Sequence, residues 1–355
     1  MYDLFGYLKK YGDVSFLEKE FNVVDSLILT AITYVDYTNI IGSKKVNLHY
    51  AINRFLATMD FKKYVRSGFF FKDIVKLMKV LGTSKRYGEV LAYNYEYKLT
   101  FEEQFGAITF RLPDGTVFVS FLGSDDTIVA WHEDFNMIHK FPVPAQKDAV
   151  KYLNRTISLF DSKVYVGGHS KGGNLALVAA MYANIFVKGK IKQIYNLDGP
   201  GLRYKEISSN KYKSIEKKYN HIVPNNSFVG LLLRHTDKYI VVKSDKLTIE
   251  SHSMFTWMID DDKLHEVKLS NVSKKLDESI NIWLNEHNDV TRKDLIDNIF
   301  DTIYKSGIVN TKDFLNVKKI YNVFKNIRGI DTSTKHLIID FFKFNLDYVV
   351  DIKKD

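Results

Sequence analysis

Residues 164 to 180 read VYVGGHSKGGNLALVAA: an apolar run, a serine between glycines, and then small and apolar residues. The serine, Ser170, has Gly168 two positions before it and Gly172 two positions after it. A serine in a sharp strand-to-helix turn needs glycines at these positions, because a Cβ there would collide with the neighbouring strand or helix. The stretch therefore predicts a strand, a nucleophile elbow and a helix, with Ser170 as the nucleophile.

Strand-like and helix-like segments alternate on both sides of this elbow. The segments AITFRL and TVFVSFL flank Pro113-Asp114-Gly115 and predict a β-hairpin whose second strand covers residues 117–122. The other predicted elements are helices at about 127–138 and 145–160, a strand at 163–167, a helix at 171–186 and a strand at 191–197. Such alternation predicts a mainly parallel sheet covered on both faces. Together with the nucleophile elbow it predicts an α/β-hydrolase-like fold over residues 89–265.

Helical segments are predicted on either side of this core. In residues 1–88, Asn22 is a candidate N-cap, and HYAINRFLATM and FKDIVKLMKVL have apolar residues at helical spacing. In residues 266–355 strand signals stop, and four amphipathic helices are predicted, from VSKKLDESINIWLNEH to STKHLIIDFFKFNLDYVV. We expect the first segment to pack on the core and the second to form a lid, a cap or a docking surface.

The composition excludes several classes of protein. The chain has 355 residues, of which 45% are hydrophobic and 26% charged, which excludes low-complexity disorder. It has no cysteine, so disulfides, thiolate metal sites and a cysteine nucleophile are excluded. His132-Glu133 and Asp260-Asp261-Asp262 have no second ligand cluster at a recognised spacing, so we expect neither a metal nor a cofactor.

The charge balance bears on partners and location. The formal net charge is +9, but the 51 basic residues are scattered among 42 acidic ones. This disfavours nucleic-acid binding and leaves peripheral contact with an anionic membrane open. No secretory signal peptide and no run of 18 apolar residues is found, so we expect a cytoplasmic protein, or one peripheral to a membrane. The side chain of Lys171, near the start of a helix, is expected to point into solvent.

The elbow GGHSKGGNLAL resembles that of class 3 lipases, and still more that of a bacterial family of lipase-like α/β hydrolases. A second block supports the resemblance: Phe121-Leu122-Gly123-Ser124, then Trp131 and Asp134, where class 3 lipases have Phe-Arg-Gly-Ser/Thr, a Trp and an Asp. The resemblance implies that Ser124 supplies the first oxyanion donor and that the backbone N–H of Lys171 supplies the second. Leu122 replaces the usual arginine, and Asp134 is expected to brace the loop.

The histidine and the acid of a triad are also assigned through this resemblance. Ser251 to Trp257 resembles the lipase block around the catalytic histidine, so His252 is chosen as the base. The other histidines after Ser170 are His221, His235, His265, His287 and His336. Class 3 lipases carry the acid in Asp-x-Val-Pro, but this chain has His221-Ile222-Val223-Pro224. Asp198, at the end of the strand after the elbow helix, occupies the position of the acid in pancreatic-type lipases, and Asp237 is the alternative.

Together these residues imply a serine hydrolase of carboxylic esters, of a lipid or another apolar acyl group. The alternative is a protein that keeps the fold but binds a partner or a lipid without turnover. The missing Asp-x-Val-Pro acid and the substitution at Leu122 favour this alternative.

Overall fold

The computed structural model describes residues 1–328, apart from residues 59, 61–63, 68 and 237. The fourth predicted C-terminal helix and the alternative acid Asp237 lie outside the described residues. The predicted division of the chain at residues 88 and 265 stays a prediction.

A single large sheet organises the described chain, and its eight strands are ordered as they occur in the sequence. The first three pairings are antiparallel and the next four, from β4 to β8, are parallel. The predicted α/β class is therefore confirmed. The strands are β1 Val46–Asn47, β2 Leu91–Leu99, β3 Gln104–Arg111, β4 Val117–Phe121, β5 Val164–His169, β6 Ile191–Leu197, β7 Tyr219–Pro224 and β8 Tyr239–Val242, and a small separate hairpin pairs β9 Ile259–Asp260 with β10 Lys263–Leu264.

Helices precede, connect and follow these strands. Those of the first segment and of the core are α1 Leu4–Tyr11, α2 Val23–Ala31, α3 Leu48–Thr58, α4 Phe71–Leu81, α5 Lys85–Gly88, α6 Ile128–Asn136, α7 Pro144–Thr156, α8 Lys171–Tyr182, α9 Ile185–Lys190, α10 Tyr204–Ile207, α11 Asn210–Lys213 and α12 Thr248–Ser251. Those of the C-terminal region are α13 Asn271–Glu286, α14 Asp289–Lys305 and α15 Val317–Arg328. No helix among the described residues is long and apolar enough to cross a membrane.

The order of the strands decides what covers each face of the sheet. Right-handed crossovers between consecutive parallel strands place their helices on one face. On that face α7 and α8 pack against the sheet in a cluster that includes Val166 and Leu175. The opposite face contributes Phe118 and Ile222 to a second cluster, which the N-terminal helices complete with residues such as Leu27. Both faces are covered as predicted, but the N-terminal segment supplies one of the two layers.

Most predicted elements near the elbow are present, with shifted ends. The hairpin is formed by β3 and β4. The predicted helix 171–186 stops at Tyr182, because Asn184 caps a new helix by accepting a hydrogen bond from the backbone N–H of Val187 at 2.9 Å. The strand β2, Leu91–Leu99, was not predicted.

A buried ion pair fixes the N-terminal segment internally. Asn22 caps α2 as predicted and forms a capping box with Asp25. The carboxylate of Asp25 accepts hydrogen bonds from Nε and Nη2 of Arg86, at 2.9 and 2.7 Å. Both side chains are fully buried. The pair joins the start of α2 to α5, about sixty residues later in the chain.

Candidate active site

Ser170 lies in the sharp turn between β5 and α8. Its backbone has φ +57° and ψ −133°, a conformation that non-glycine residues rarely adopt. A Cβ at Gly168 would lie 2.3 Å from the carbonyl carbon of Gly172, and one at Gly172 would lie 2.2 Å from the carbonyl oxygen of Phe121. Neither position can therefore carry a side chain. The strand, the sharp turn and the helix predicted from the spacing of the glycines are present, while the role of Ser170 as a nucleophile stays a prediction.

Asp198 and His252 are in direct contact beside this turn. Asp198 follows β6, is fully buried, and has its Oδ2 2.6 Å from Nδ1 of His252. Its other oxygen, Oδ1, accepts hydrogen bonds from Oγ of Ser227 at 2.5 Å and from the backbone N–H of Gly230 at 3.0 Å. Both oxygens of this buried carboxylate thus have a hydrogen-bond partner. The arrangement can orient an imidazole and stabilise it as the imidazolium.

His169, the residue before Ser170, ties the elbow to the loop that carries His252. Its Nε2 lies 2.8 Å from the carbonyl oxygen of His252, so Nε2 carries the proton and donates it. Its Nδ1 lies 3.0 Å from the hydroxyl of Tyr34, which donates to it. Burial lowers the pKa of His169 well below its ordinary value, and neighbouring His252 lowers it further, so the ring is neutral. Tyr34 comes from the N-terminal segment, and no sequence signal marked it.

Residues 122–127, which carry the predicted oxyanion donor Ser124 and are called the oxyanion loop, run alongside the elbow. A Cβ at Gly123 would lie 2.1 Å from the hydroxyl of Tyr34 and 2.6 Å from the carbonyl oxygen of His169, so this glycine permits the close approach. Ser124 donates a short hydrogen bond from its hydroxyl to Oδ2 of Asp134. Asp134 thus contacts the loop that it was expected to brace. Leu122 is buried and packs against the backbone at Gly106, so its position suits an apolar side chain.

The side chain of Lys171 does not reach solvent, and that expectation was wrong. It is fully buried and its Nζ donates to Oε2 of Glu133 at 2.8 Å and to Oε1 of Gln104 at 3.0 Å. These partners come from α6 and β3, so the side chain at this position of α8 points into the protein. Burial lowers the pKa of Lys171, but the charges of Glu133 and Asp134 outweigh this effect and raise it overall. Lys171 is therefore a cation inside the protein.

Asp134 faces the same cation. Its Oδ1 lies 3.7 Å from Nζ of Lys171 and accepts no hydrogen bond from any described residue. Burial raises the pKa of Asp134 to about 7, although Lys171 and the hydrogen bond from Ser124 act in the opposite direction. The carboxyl group that holds Ser124 therefore titrates near neutral pH.

The remaining histidines have other surroundings. His221, which stands where class 3 lipases have their acid, is buried, and its Nε2 lies 3.2 Å from the carbonyl oxygen of Gly199. Burial lowers the pKa of His221 to about 3, so it is a neutral residue of the interior. His235 contacts Asp277, His265 contacts Asp260, and His287 contacts the carbonyl oxygen of Trp283. His336 lies outside the described residues. No group of three or more His, Asp or Glu side chains suited to a metal ion occurs in the described part of the chain.

The structure thus brings Asp198 and His252 into contact, and His169, the residue before Ser170, contacts the backbone of His252. Ser124 lies in the loop before α6, and Lys171 begins α8. The catalytic roles of Ser170, His252, Asp198, Ser124 and Lys171 stay predictions. Sequence reasoning missed Tyr34, His169 as a link between two loops, and the buried contacts of Lys171. Of these, His169 and Lys171 stand in the motif on either side of Ser170, whereas Tyr34 lies in no motif.

The comparisons with known proteins give one family and one weak structural similarity. No curated protein matches the chain. Among solved structures, the chain is similar to Rhizomucor miehei lipase in its propeptide complex, with 14% identity and a TM-score of 0.35 over 56% of this chain and 70% of that one, a similarity too weak to support an argument. The fold is lipase-like, as expected, whereas a bacterial family and a particular lipase class stay predictions. Since the Mbeg1-like family model matches residues 81–301, more than half of the sequence, the chain belongs to the Mbeg1-like family.

Proposed function

We propose that this protein is a serine hydrolase that cleaves carboxylic esters with an apolar acyl group. The observation that carries the proposal is the buried pair of Asp198 and His252, with Nδ1 and Oδ2 2.6 Å apart, next to a strained serine in an elbow. A carboxylate on Nδ1 leaves Nε2 free to accept a proton, as a general base requires. The lipase-like family of the chain is consistent with a hydrolase.

The proposed reaction has two halves. His252 takes the hydroxyl proton of Ser170 while Oγ forms a bond to the ester carbonyl, and the carbonyl oxygen becomes an alkoxide. Ser124 and the backbone N–H of Lys171 stabilise this alkoxide. The bond to the leaving alkoxide then breaks, and His252 gives the alcohol its proton. Water, activated by the same histidine, releases the acid from the acyl-enzyme.

The alternative, a binding protein without turnover, retains one supporting observation. His221 stands at the position of the acid in class 3 lipases, so a catalytic carboxylate from β7 is missing. In the proposed triad Asp198, which follows the adjacent strand β6, takes this role instead. The choice between the two functions therefore depends on whether Asp198 acts as the triad acid or the chain has no triad acid.

Covalent labelling with a fluorophosphonate probe distinguishes the two functions. We expect the purified chain to be labelled, and we expect labelling to disappear in Ser170→Ala. A folded wild-type protein that is never labelled would support the binding protein. Circular dichroism of Ser170→Ala serves to check that the fold is kept.

Replacement of Asp198 tests the assignment of the acid. Loss of the triad carboxylate has cost about 10⁴ in kcat in a serine protease, and we expect a loss of similar size for Asp198→Asn on a short p-nitrophenyl ester, with little change in KM. The matched control is Asp277→Asn, which removes the carboxylate that contacts His235 and should leave kcat within a factor of two or so. A large loss in Asp277→Asn and none in Asp198→Asn would refute the assignment.

The cellular location belongs to the same proposal. A chain without cysteine suits a reducing compartment, and we place its activity in the cytoplasm. Fractionation of cells that express the tagged full-length chain tests this, and recovery in an extracellular fraction would contradict it.

A further inference from the structure

The helix that follows the oxyanion loop is anchored from inside the protein. Glu133, on α6, is 1% exposed and accepts three hydrogen bonds. The donors are Nζ of Lys171 at 2.8 Å, the backbone N–H of Gln104 at 3.1 Å and the backbone N–H of Ala145 at 2.8 Å. These donors belong to α8, β3 and α7. A single carboxylate therefore joins α6 to the elbow helix, to the sheet and to the next helix.

The oxyanion loop and α6 also contact the C-terminal region, on the side away from the sheet. The backbone N–H of Ile128 donates to the carbonyl oxygen of Val309 at 3.0 Å, and that of Thr311 donates to the carbonyl oxygen of Asp126 at 2.8 Å. The ring of His132 stacks on Phe300, with 4.4 Å between the ring centroids. The oxyanion loop and α6 thus lie between the core and the C-terminal region.

Movement of α6 away from the elbow would separate a buried ion pair. Separating such a pair leaves each charge without its partner, and a buried charge without its partner is strongly destabilising. The outward hydrogen bonds to residues 309 and 311 would break as well. An opening motion of this size is too costly for a helix that has to move in each catalytic cycle.

We infer that Lys171 and Glu133 form a buried latch that fixes the oxyanion loop before substrate binds, so that the substrate is an ester dispersed in water and not one presented at a lipid–water interface. The inference rests on the proposed function and adds its substrate class. Lys171 acts here through its side chain as a positioning residue, while its backbone N–H is the proposed oxyanion donor. The latch reaches Ser124 through Asp134, which lies between the two.

Kinetics across the solubility limit of an ester test the substrate class. We expect the rate of the wild-type chain on p-nitrophenyl butyrate to saturate below the solubility limit and to show no rise above it. An upward break at the limit would overturn the latch while leaving the proposed hydrolase intact. Failure of the proposed function would look different, because there would be no turnover at any concentration and no labelling of Ser170.

Hydrogen–deuterium exchange tests the latch without any need for activity. We expect the amides of residues 124–136 to be protected in the wild-type chain, and equally so with and without phosphatidylcholine vesicles. Faster exchange of this segment when vesicles are added would overturn the inference.

Two variants examine the ion pair itself. Lys171→Met keeps most of the side-chain length but leaves Glu133 without its cation, so we expect faster exchange in residues 124–136 and a fall in kcat of up to about 10², with a smaller change in KM. Adding Glu133→Gln removes the uncompensated charge and should restore at least a tenth of the wild-type kcat.

The control for these variants is Lys151→Met, which removes a lysine that is 72% exposed on α7. It should change neither kcat nor the hydrogen–deuterium exchange of residues 124–136. Loss of kcat without any change in exchange, or no recovery in the double variant, would show that the pair does not position the loop.

Discussion

The N-terminal and C-terminal helical segments flank the same sheet, but they are joined to it in different ways. The N-terminal helices share one continuous apolar cluster with a face of the sheet, in which Val24 and Phe118 take part. The C-terminal helices form small clusters around Leu295 and Phe300 and meet the core mainly at α6 and its neighbours. One segment is a layer of the fold, whereas the other is attached to the helix behind the oxyanion loop.

The ion pair inside the N-terminal segment is more deeply buried than the pair that joins the C-terminal region to the core. Asp25 and Arg86, in the N-terminal segment, are completely buried. Asp289 of the C-terminal region pairs with Arg203 of the core, and these side chains are 48% and 23% exposed. Since exposed pairs contribute little to stability, the C-terminal region is held chiefly by its apolar contacts. The difference indicates that removing N-terminal contacts should unfold the protein, whereas removing C-terminal contacts should disturb the candidate site.

The largest expected effect is on stability, in Arg86→Met. The change leaves the carboxylate of Asp25 buried without its cation, and we expect the free energy of unfolding to fall by about 3–5 kcal/mol, measured by urea denaturation. Arg54→Met, at an exposed arginine of α3, is the control and should stay within about 0.5 kcal/mol of wild type. If Arg86→Met costs less than about 1 kcal/mol, the buried pair does not hold the N-terminal segment together.

A smaller and more local effect is expected for Phe300→Ala. Phe300 is 4% exposed and packs with Ile128 and Ile296 at the junction with α6. Its loss should destabilise this cluster by about 3 kcal/mol, so that limited proteolysis releases the C-terminal region while the main unfolding transition shifts less than in Arg86→Met. We also expect kcat to fall about tenfold, since the outer support of the oxyanion loop is weakened. An unchanged proteolysis pattern would contradict this account.

The smallest effect concerns pH at the same junction. Asp134 faces Lys171, Glu133, Asp125 and the hydroxyl of Ser124, and burial raises its pKa to about 7. Between the ordinary pKa of an aspartate, near 4, and pH 7, the unfolded chain loses this proton while the folded chain keeps it, so stability falls as pH rises. The penalty is fully present above pH 7. Asp134→Asn should therefore gain stability relative to wild type when the comparison moves from pH 5 to pH 8.

Urea denaturation of the wild-type protein and of Asp134→Asn, at pH 5 and at pH 8, measures how the difference in their free energies of unfolding changes with pH. Asn keeps an oxygen that can accept the hydrogen bond from Ser124, so the variant removes the titration and preserves the contact. A difference between the two proteins that does not change with pH would mean that Asp134 does not titrate in this range.

Features set by neighbours in the chain could be predicted from the sequence. The elbow depends on glycines two residues from Ser170, and the cap of α2 depends on Asn22 and on Asp25 three residues later. The resemblance to pancreatic-type lipases pointed to Asp198, at the end of the strand after the elbow helix. Asp198 contacts His252, and its role as the acid stays a prediction. In each of these cases the deciding contacts are local or follow from the order of strands and helices.

Features set by distant partners could not be predicted. The side chain of Lys171 is buried because Glu133 and Gln104 meet it, and they lie 38 and 67 residues away in the sequence. Nothing near Lys171 distinguishes it from the many lysines that lie in solvent. Tyr34 was missed for the same reason, since its contact with His169 spans 135 residues. Strand β2 was missed because LAYNYEYKL carries polar residues on a partly exposed surface.

The order of the strands also has a consequence for synthesis of the chain. The apolar face of α2 is completed by residues as distant as Ile222, about 200 residues later. At translation rates of about 5–20 residues per second, α2 waits about 10–40 s for its partners on the sheet. During that time the nascent chain exposes an apolar surface that chaperones can bind. The protein thus makes first the layer that it can bury only after most of the sheet has been synthesised.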